Sequence, residues 1–391
     1  MCRLQLNILL ANIFAIIFIT SSALAQESNE PNEPNEPTKL LLRANASIGG
    51  AYTTNLYLNA SELSDSLGIA RLALYSNWLP TDSISLKLSY AGDSSYNKTI
   101  TYDRHYGHLG IITFGVRPTD ALFTTIAAGG EQAYYPNKLA NKYSFNGMFG
   151  RVGARYEIGD TSTLKINYQF RQDHFAKYDL DNRSHTPALQ WDQAIGDYIE
   201  IRLPLVYESI YYMERYLSDI NGNLTSQRKT SNLIKAEPTI IFMPSFTLRI
   251  TGTLAIEQNN SNDTYYYLGP FGVEDPNINS NLIKNYDSYT QGSSTLTIQW
   301  ETLANLTNSI RLGAGMRSYA NRPAYDINGL ATGEKEQDTW ITPGIESRLR
   351  INDFLGLRFS YNLTKQWSNN ALWDFTAHRV EIFLETWAGY P

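Results

Sequence analysis

The sequence has 391 residues, with 32 Lys and Arg against 38 Asp and Glu, a formal charge of −6 and one cysteine. That balance gives no basic surface for nucleic acid, and a lone cysteine excludes a disulfide framework. A mean hydropathy of −0.33 excludes a helical membrane bundle but not a β-barrel, which meets lipid with every second residue only. In chain order, the first segment reads as a secretory signal peptide, expected over 1–25. Arg3 precedes an apolar core at 8–19, and Ala23, Leu24 and Ala25 form an A-x-A site before Gln26. That core is short of the roughly 20 residues a spanning helix needs. Cys2 would leave with the signal. Residues 26–38 repeat Asn-Glu-Pro from Asn29, Asn32 and Asn35, which favours an extended, coreless periplasmic tail. It reads as a spacer or a docking arm.

From 39 to 391 the chain alternates apolar and polar residues, as at 164–171, 246–257 and 354–364. A period of two puts one set of side chains on each face of a strand. Tight-turn residues fall at Pro80 to Asp82, Pro118 to Asp120, Gly159 and Asp160, Gly196 and Asp197, Pro244 and Ser245, Leu303 to Asn305, and Asn352 and Asp353. Longer polar stretches lie between them, near 55–66, 94–105, 130–146, 175–185, 216–231, 258–288, 319–337 and 367–372. Alternating short and long connections are what a transmembrane barrel requires. Seven turns and eight loops, with both ends on the turn side, predict an all-β, antiparallel barrel of about 16 strands, within a range of 14–18. The segments around 106–128 alternate least clearly. The 27 Tyr and 7 Trp suit aromatic girdles at two membrane interfaces. The final strand, from Arg379, is similar to the terminal assembly signal of outer-membrane proteins, so the barrel-assembly machinery is an expected partner, together with the outer-membrane bilayer. Here the chain ends Tyr390-Pro391 rather than on Phe.

The alternation also sorts side chains by face. Leu355, Leu357, Phe359, Tyr361 and Leu363 form one lipid-facing set. The opposite phase collects Arg151, Arg155, Arg171, Arg202, Arg249, Arg311, Arg317, Arg348, Arg350 and Arg358, with Arg43, Arg71, Lys87, Lys165, Lys235 and Arg379. Against these sixteen stand ten acids: Glu157, Asp192, Glu200, Glu208, Glu237, Glu257, Glu301, Glu346, Glu381 and Glu385. A positive lumen inside a negative chain favours anions, and arginine offers a bidentate grip. Cross-strand ion pairs would explain some of these residues as bracing. The longest loop carries Tyr265, Tyr266, Tyr267 and Phe271; folded inward it would constrict the bore, folded outward it would not.

Other chemistry is sparse. His105 and His108, three apart on a strand, point to opposite faces and make a poor metal pair. His174 and His185 read as rim residues beside a loop. Asp173 with His174 is the nearest approach to a catalytic pair, and no phosphate loop, zinc spacing or calcium loop appears. No metal, cofactor or enzyme activity is expected.

The opening of the barrel resembles the β-barrel porin 2 family. There the first strand tends to end in Tyr-x-x-Asn, followed by an Asp-containing loop; here Tyr52, Thr53, Thr54 and Asn55 precede Ser64 and Asp65, with threonines where acids are usual. The resemblance covers roughly 70 residues and implies an outer-membrane barrel. The expected function is a porin-like channel for small anionic or sugar-like solutes. The alternatives are the barrel of an anionic polysaccharide or surface-protein export system, and a structural or adhesion barrel with a closed lumen.

Overall fold

The computed structural model describes residues 39–55, 58–59, 63–101, 104–137, 140–266 and 282–390. The expected signal peptide and Asn-Glu-Pro tail lie outside these residues, as do Tyr267 and Phe271.

The first nine strands are β1 (Lys39–Thr53), β2 (Asp65–Thr81), β3 (Ile84–Asn97), β4 (His105–Thr119), β5 (Leu122–Tyr134), β6 (Phe145–Ile158), β7 (Ser162–Phe175), β8 (Asn182–Ile195) and β9 (Ile199–Ser218). They are followed by β10 (Leu224–Ala236), β11 (Thr239–Ser245), β12 (Leu248–Ser261), β13 (Thr264–Tyr266), β14 (Leu282–Lys284) and β15 (Tyr289–Leu303). The last four are β16 (Leu306–Tyr325), β17 (Ala331–Arg350), β18 (Leu355–Ser368) and β19 (Phe375–Tyr390). The wall strands pair antiparallel in chain order, with β12 joined directly to β15, and β19 pairs β1 from Leu42↔Tyr390 to Thr53↔Arg379, which closes the ring. β10 and β11 are two parts of one wall strand, since both pair with β9 and with β12. They part at Glu237 and Pro238, where proline has no N–H for the ladder. β13 and β14 form a separate hairpin in the longest loop. The wall therefore has sixteen strands, and closure leaves no unpaired edge.

All seven turn signals stand at short connections on one side of the ring. The long connections are shorter than the sequence suggests, because β3, β5, β9, β10, β16 and β17 continue into stretches read as loop. These extensions rise beyond the apolar belt, where both faces carry polar residues and the period of two disappears. Two of them end in the same tetrapeptide. Asp219-Ile220-Asn221-Gly222 closes β9 to β10, and Asp326-Ile327-Asn328-Gly329 closes β16 to β17. In both, the Asp Oδ1 accepts N–H bonds from the residues two and four further on, at 2.8–2.9 Å. Glycine holds φ +79° in both, a left-handed conformation that favours residues without Cβ. Those N–H groups hold both carboxyls below the usual carboxylate range, the bonds from Asn223 and Leu330 leading.

The outward face carries an apolar belt, including Leu88, Ile112, Ile126, Val152, Ile166, Leu254, Leu312 and Ile382, all exposed. Trp78, Tyr156, Trp191, Tyr198, Phe246 and Phe354 ring it at the turn side, and Tyr52, Tyr96, Tyr106, Tyr134, Tyr211 and Trp367 at the loop side. Exposed apolar surface of this extent belongs in lipid.

Candidate functional site

Cross-strand partners share a face, so the registers carry the inward phase around the ring. Arg43 lies beside Tyr75, Arg71 beside Asp93, Arg151 beside Gln169, Arg155 beside Lys165, Arg202 beside Asp192 and Arg348 beside Arg358. All ten arginines singled out from the sequence, and the six further basic residues, stand on the face opposite the apolar belt.

Nine of these sixteen meet carboxylates. Arg155 pairs with Glu157, Lys165 with Asp192 (2.5 Å), Arg202 with Glu200 (2.6 Å), Lys235 with Glu237 (2.5 Å) and Arg379 with Glu381 (2.7 Å). Arg171 bridges Glu131 and Asp173, and Arg350 meets Asp353, each within 2.8 Å. Arg358 and Arg348 share Glu385 (2.9 and 3.1 Å), and Arg358 also reaches Glu346. Among the described residues the other seven have no carboxylate within 4.0 Å. Arg317 and Arg151 are held by Gln291 and Gln169, and Arg71 lies over the Phe383 ring at 5.0 Å. Among the described residues the side chains of Arg43, Lys87, Arg249 and Arg311 have no hydrogen-bond partner, and Lys87 lies over the Phe123 ring at 6.0 Å. The ion pairs of the wall join strands no more than two apart, and none crosses the lumen among the described residues.

The inner face also holds acids that sequence reading assigned to loops or missed: Asp93, Glu131, Asp173 and Asp338. The strand extensions put them there, and they reduce the positive excess counted from the sequence. What remains is a separation along the axis. Within seven residues of each strand's turn-side end, the inner face carries Arg43, Lys87, Arg151, Arg155, Lys165, Arg202, Arg249, Arg311, Arg348, Arg350 and Arg358. The acids at that level are Glu157, Asp192, Glu200, Glu301, Glu346 and Glu385. Further up, Arg71, Arg171, Lys235, Arg317 and Arg379 face Asp93, Glu131, Asp173, Glu208, Glu237, Glu257, Asp338 and Glu381. The turn-side half is basic, and the loop-side vestibule is mildly acidic.

The inner wall is not purely polar. Phe383, only 1% exposed, packs with Ala51, Leu67 and Ile69 beneath the guanidiniums of Arg71 and Arg358 (5.0 and 4.5 Å to the ring). It lies across Gly49, where any Cβ would strike the Ile382 carbonyl and the ring itself. The same pairing recurs as Phe123 over Gly115, Phe149 over Gly129, Trp340 over Gly315 and Trp387 over Gly356. Each is an inward aromatic laid on an inward glycine of a neighbouring strand.

At the loop-side rim, Lys229 (4% exposed) donates to Asp263 (2.9 Å) and Asp287 (2.5 Å), while Arg215 reaches Asp263 and Arg322 reaches Asp287. Burial works to raise the Asp287 carboxyl. Hydrogen bonding with Asp263 and Lys229, and the charges of Lys229 and Arg322, bring it down to about 2. The more deeply buried Asp263 is pushed up. This cluster clamps the base of the longest loop, with the Thr264 hydroxyl accepting from the Ser218 N–H at 2.7 Å. Tyr265 stacks on Tyr286 (4.7 Å), and Tyr266 lies against Gly222 at the β9–β10 turn. Tyr265 and Tyr266, the two described residues of the four constriction candidates, thus lie at the rim.

His105 and His108 do face opposite sides. His105 is inside with Asp93 (2.7 Å), and His108 is outside with the Tyr90 hydroxyl (2.8 Å). His185 belongs to β8, where it bonds the Tyr168 hydroxyl on the outer face. Asp173 turns inward to Arg171 while His174 meets Asp181, so the strand separates them. Among the described residues no group of three or more His, Cys, Asp or Glu is placed to hold a metal ion. Asn55 and Asp65, which carry the sequence resemblance, are structural. Asn55 bonds the backbone of Asn59 in both directions. Asp65 accepts from the N–H groups of Ser66, Thr99 and Ile100, tying the β3–β4 loop to β2.

A closed, sixteen-stranded antiparallel wall with an apolar belt, two aromatic girdles and a charged interior defines a transmembrane β-barrel of the outer-membrane type. The chain is similar to OccAB4 of Acinetobacter baumannii, with a TM-score of 0.51 at 11% identity over 92% of this chain and 100% of that one. It is equally similar to in-vitro folded OmpT, an outer membrane protein of Vibrio cholerae, at 0.51 and 10% over 92% and 100%. OccAB3 of A. baumannii gives 0.50 at 8% over 90% and 100%. Likeness at such identity concerns the fold alone. The sequence matches no protein-family model and no curated protein.

Proposed function

We propose that this protein is an outer-membrane channel that passes small anionic or sugar-like solutes, and that it belongs with the β-barrel porin 2 group. The observation that carries the reading is the basic turn-side half of the inner wall, where Arg43, Lys87, Arg249 and Arg311 meet no carboxylate among the described residues. A sixteen-strand circumference leaves room for an aqueous bore. Unpaired cations set in a low-dielectric wall focus field on passing ions and favour anions. The nine paired residues brace the wall and carry little net charge. Arg151, Arg249, Arg311 and Arg317 are therefore the selectivity residues, and Arg155, Arg171, Arg202, Arg348, Arg350 and Arg358 mainly shape the bore. Planar-bilayer recording of the refolded mature chain under a KCl gradient tests the reading. Steady conductance with an anion-directed reversal potential is expected. A cation-directed potential, or no conductance, would refute it.

A further inference from the structure

A cavity of about 790 Å³ on the inner wall runs from the β15–β16 turn, past Glu301, Arg348, Arg350, Glu385 and Trp387, up to Arg71 and Asp93. Its lining combines groups that an ion path alone does not require. Trp387 is partly exposed, lines the cavity and rests against Gly356, where a Cβ would come within 2.7 Å of the indole. The indole is thereby braced against the wall and offers its remaining surface to the cavity. Asn45 is the register partner of Trp387, and Ser47 that of Glu385. These four side chains make a compact inward block of one aromatic and three hydrogen-bonding groups. Arg348 and Arg350 stand beside it with side chains 52% and 54% exposed. Arg348 meets Glu385 through Nε at 3.1 Å. Arg350 is held by Asp353, whose side chain is 91% exposed, and such surface pairs hold their partners weakly.

From this arrangement we infer that the turn-side mouth is a binding subsite for a pyranose bearing an anionic substituent. This rests on the channel reading and names a substrate class for it. The C–H face of a pyranose stacks on the surface that Trp387 offers to the cavity, as amphipathic rings do on indole. Asn45 and Ser47 offer donors and acceptors to ring hydroxyls, and the Glu385 carboxylate accepts from one. The anionic group lies against Arg348 and Arg350, whose planar forks suit a carboxylate or a phosphate. A cavity of 790 Å³ is in the upper part of the range for ligand sites, so it takes a monosaccharide with its bridging waters or a disaccharide.

The test is isothermal titration of the refolded mature barrel in detergent with galacturonate, glucose 6-phosphate, galactose and hexanoate. At least one acid sugar should bind ten times more tightly than galactose and than the ring-less acid, and whichever acid sugar is tighter identifies the anionic group. Trp387→Leu should lower acid-sugar affinity at least tenfold and erase the preference over hexanoate, while Trp387→Phe keeps the platform and stays within threefold. Arg348→Gln leaves Glu385 paired with Arg358 (2.9 Å), so the wall is not left with an orphan charge. It should erase the preference over galactose without changing galactose binding. Equal binding of hexanoate and the acid sugars, no binding of any sugar, or an unchanged affinity in Trp387→Leu overturns the inference. Bilayer conductance of the same preparation separates this from failure of the channel reading, since a closed barrel can still show the sugar ratios and an open one can lack them.

Discussion

Neutralising Arg151, Arg249 and Arg311 together to glutamine is the sharpest probe of the basic half. None of the three meets a carboxylate, so no ion pair is broken and no acid is orphaned. For an ion passing about 7 Å from a guanidinium, the Coulomb energy in water is about 0.6 kcal/mol, and screening over a Debye length of about 8 Å reduces it to about 0.25 kcal/mol. Removing one such charge weakens the anion and favours the cation by that amount. The anion-to-cation permeability ratio then changes about twofold per site and about tenfold for the three, with a larger effect where the low-dielectric wall strengthens the field. Reversal potentials under a KCl gradient read the ratio directly, and a drop of about tenfold is expected. At 1 M salt, where the Debye length is about 3 Å, the difference between variant and parent should nearly vanish. Glu301→Gln, at the same level, should move the ratio the other way. A triple variant with unchanged selectivity at low salt would show that the turn-side arginines do not set the field of the bore.

Three further outcomes follow from the packing and the rim. Gly49→Val should destabilise the barrel by about 1–3 kcal/mol through overpacking, because its Cβ lands on Phe383 and the Ile382 carbonyl. Gly68→Ala, with nothing within 4 Å of its Cβ, should be silent, and urea unfolding followed by gel mobility distinguishes them. Lys229→Met leaves Asp263 and Asp287 facing each other at a buried site, a loss of about 3–5 kcal/mol. It should appear as faster hydrogen exchange at 282–290 with little change in the lower barrel. The rim should also loosen in acid. With the Asp287 carboxyl held down to about 2 against an unfolded value of about 3.9, its contribution is complete above about pH 4 and is lost as pH falls towards 2. Exchange at 285–288 that stays flat across that window would contradict the Lys229–Asp287 clamp.

The wall was legible in the sequence because two requirements leave marks there. Lipid on one face and water on the other imposes a period of two, and each hairpin needs turn residues at one end, such as Gly159 and Gly196 with φ of +64° and +59°. Both marks fade where the wall stands in water on both sides. Asp93, Glu131 and Asp338 were therefore read as loop, although the ladder carries them onto the inner face. The repeat of Asp-Ile-Asn-Gly at 219 and 326 is a mark of the opposite kind, since it signals two tight turns inside stretches whose polarity suggests long loops. The charge separation could not be read from composition at all, since it depends on each residue's distance from its turn. The inward phase of Trp387 follows from its parity with Glu381 and Glu385, whereas its contact with Gly356 and its place beside Arg348 and Arg350 depend on the closed ring and leave no mark in the sequence.

The glycine–aromatic pairs explain how such a wall can hold large rings without filling its bore. A Phe or Trp projecting from an inward position would reach several ångströms towards the axis. Laid across a glycine on the neighbouring strand, the same ring lies along the wall and takes the space a Cβ would have occupied. The arrangement adds buried apolar area between neighbouring strands while leaving the lumen open. The five rings then differ only in what surrounds them. Phe383 is sealed beneath two arginines and among Ala51, Leu67 and Ile69, which makes it a packing element with no face left for a solute. Trp387 has the same footing but partly exposed surface and hydrogen-bonding neighbours, and it stands in the basic half rather than the acidic vestibule. An anion entering from the loop side passes Asp93, Glu131 and Asp338, with Arg71 and Arg317 beside two of them, before it meets Arg151, Arg249 and Arg311 in the basic half. The field therefore draws it towards the turn-side mouth, and Trp387 with Arg348 is where the chain places the groups able to hold it there.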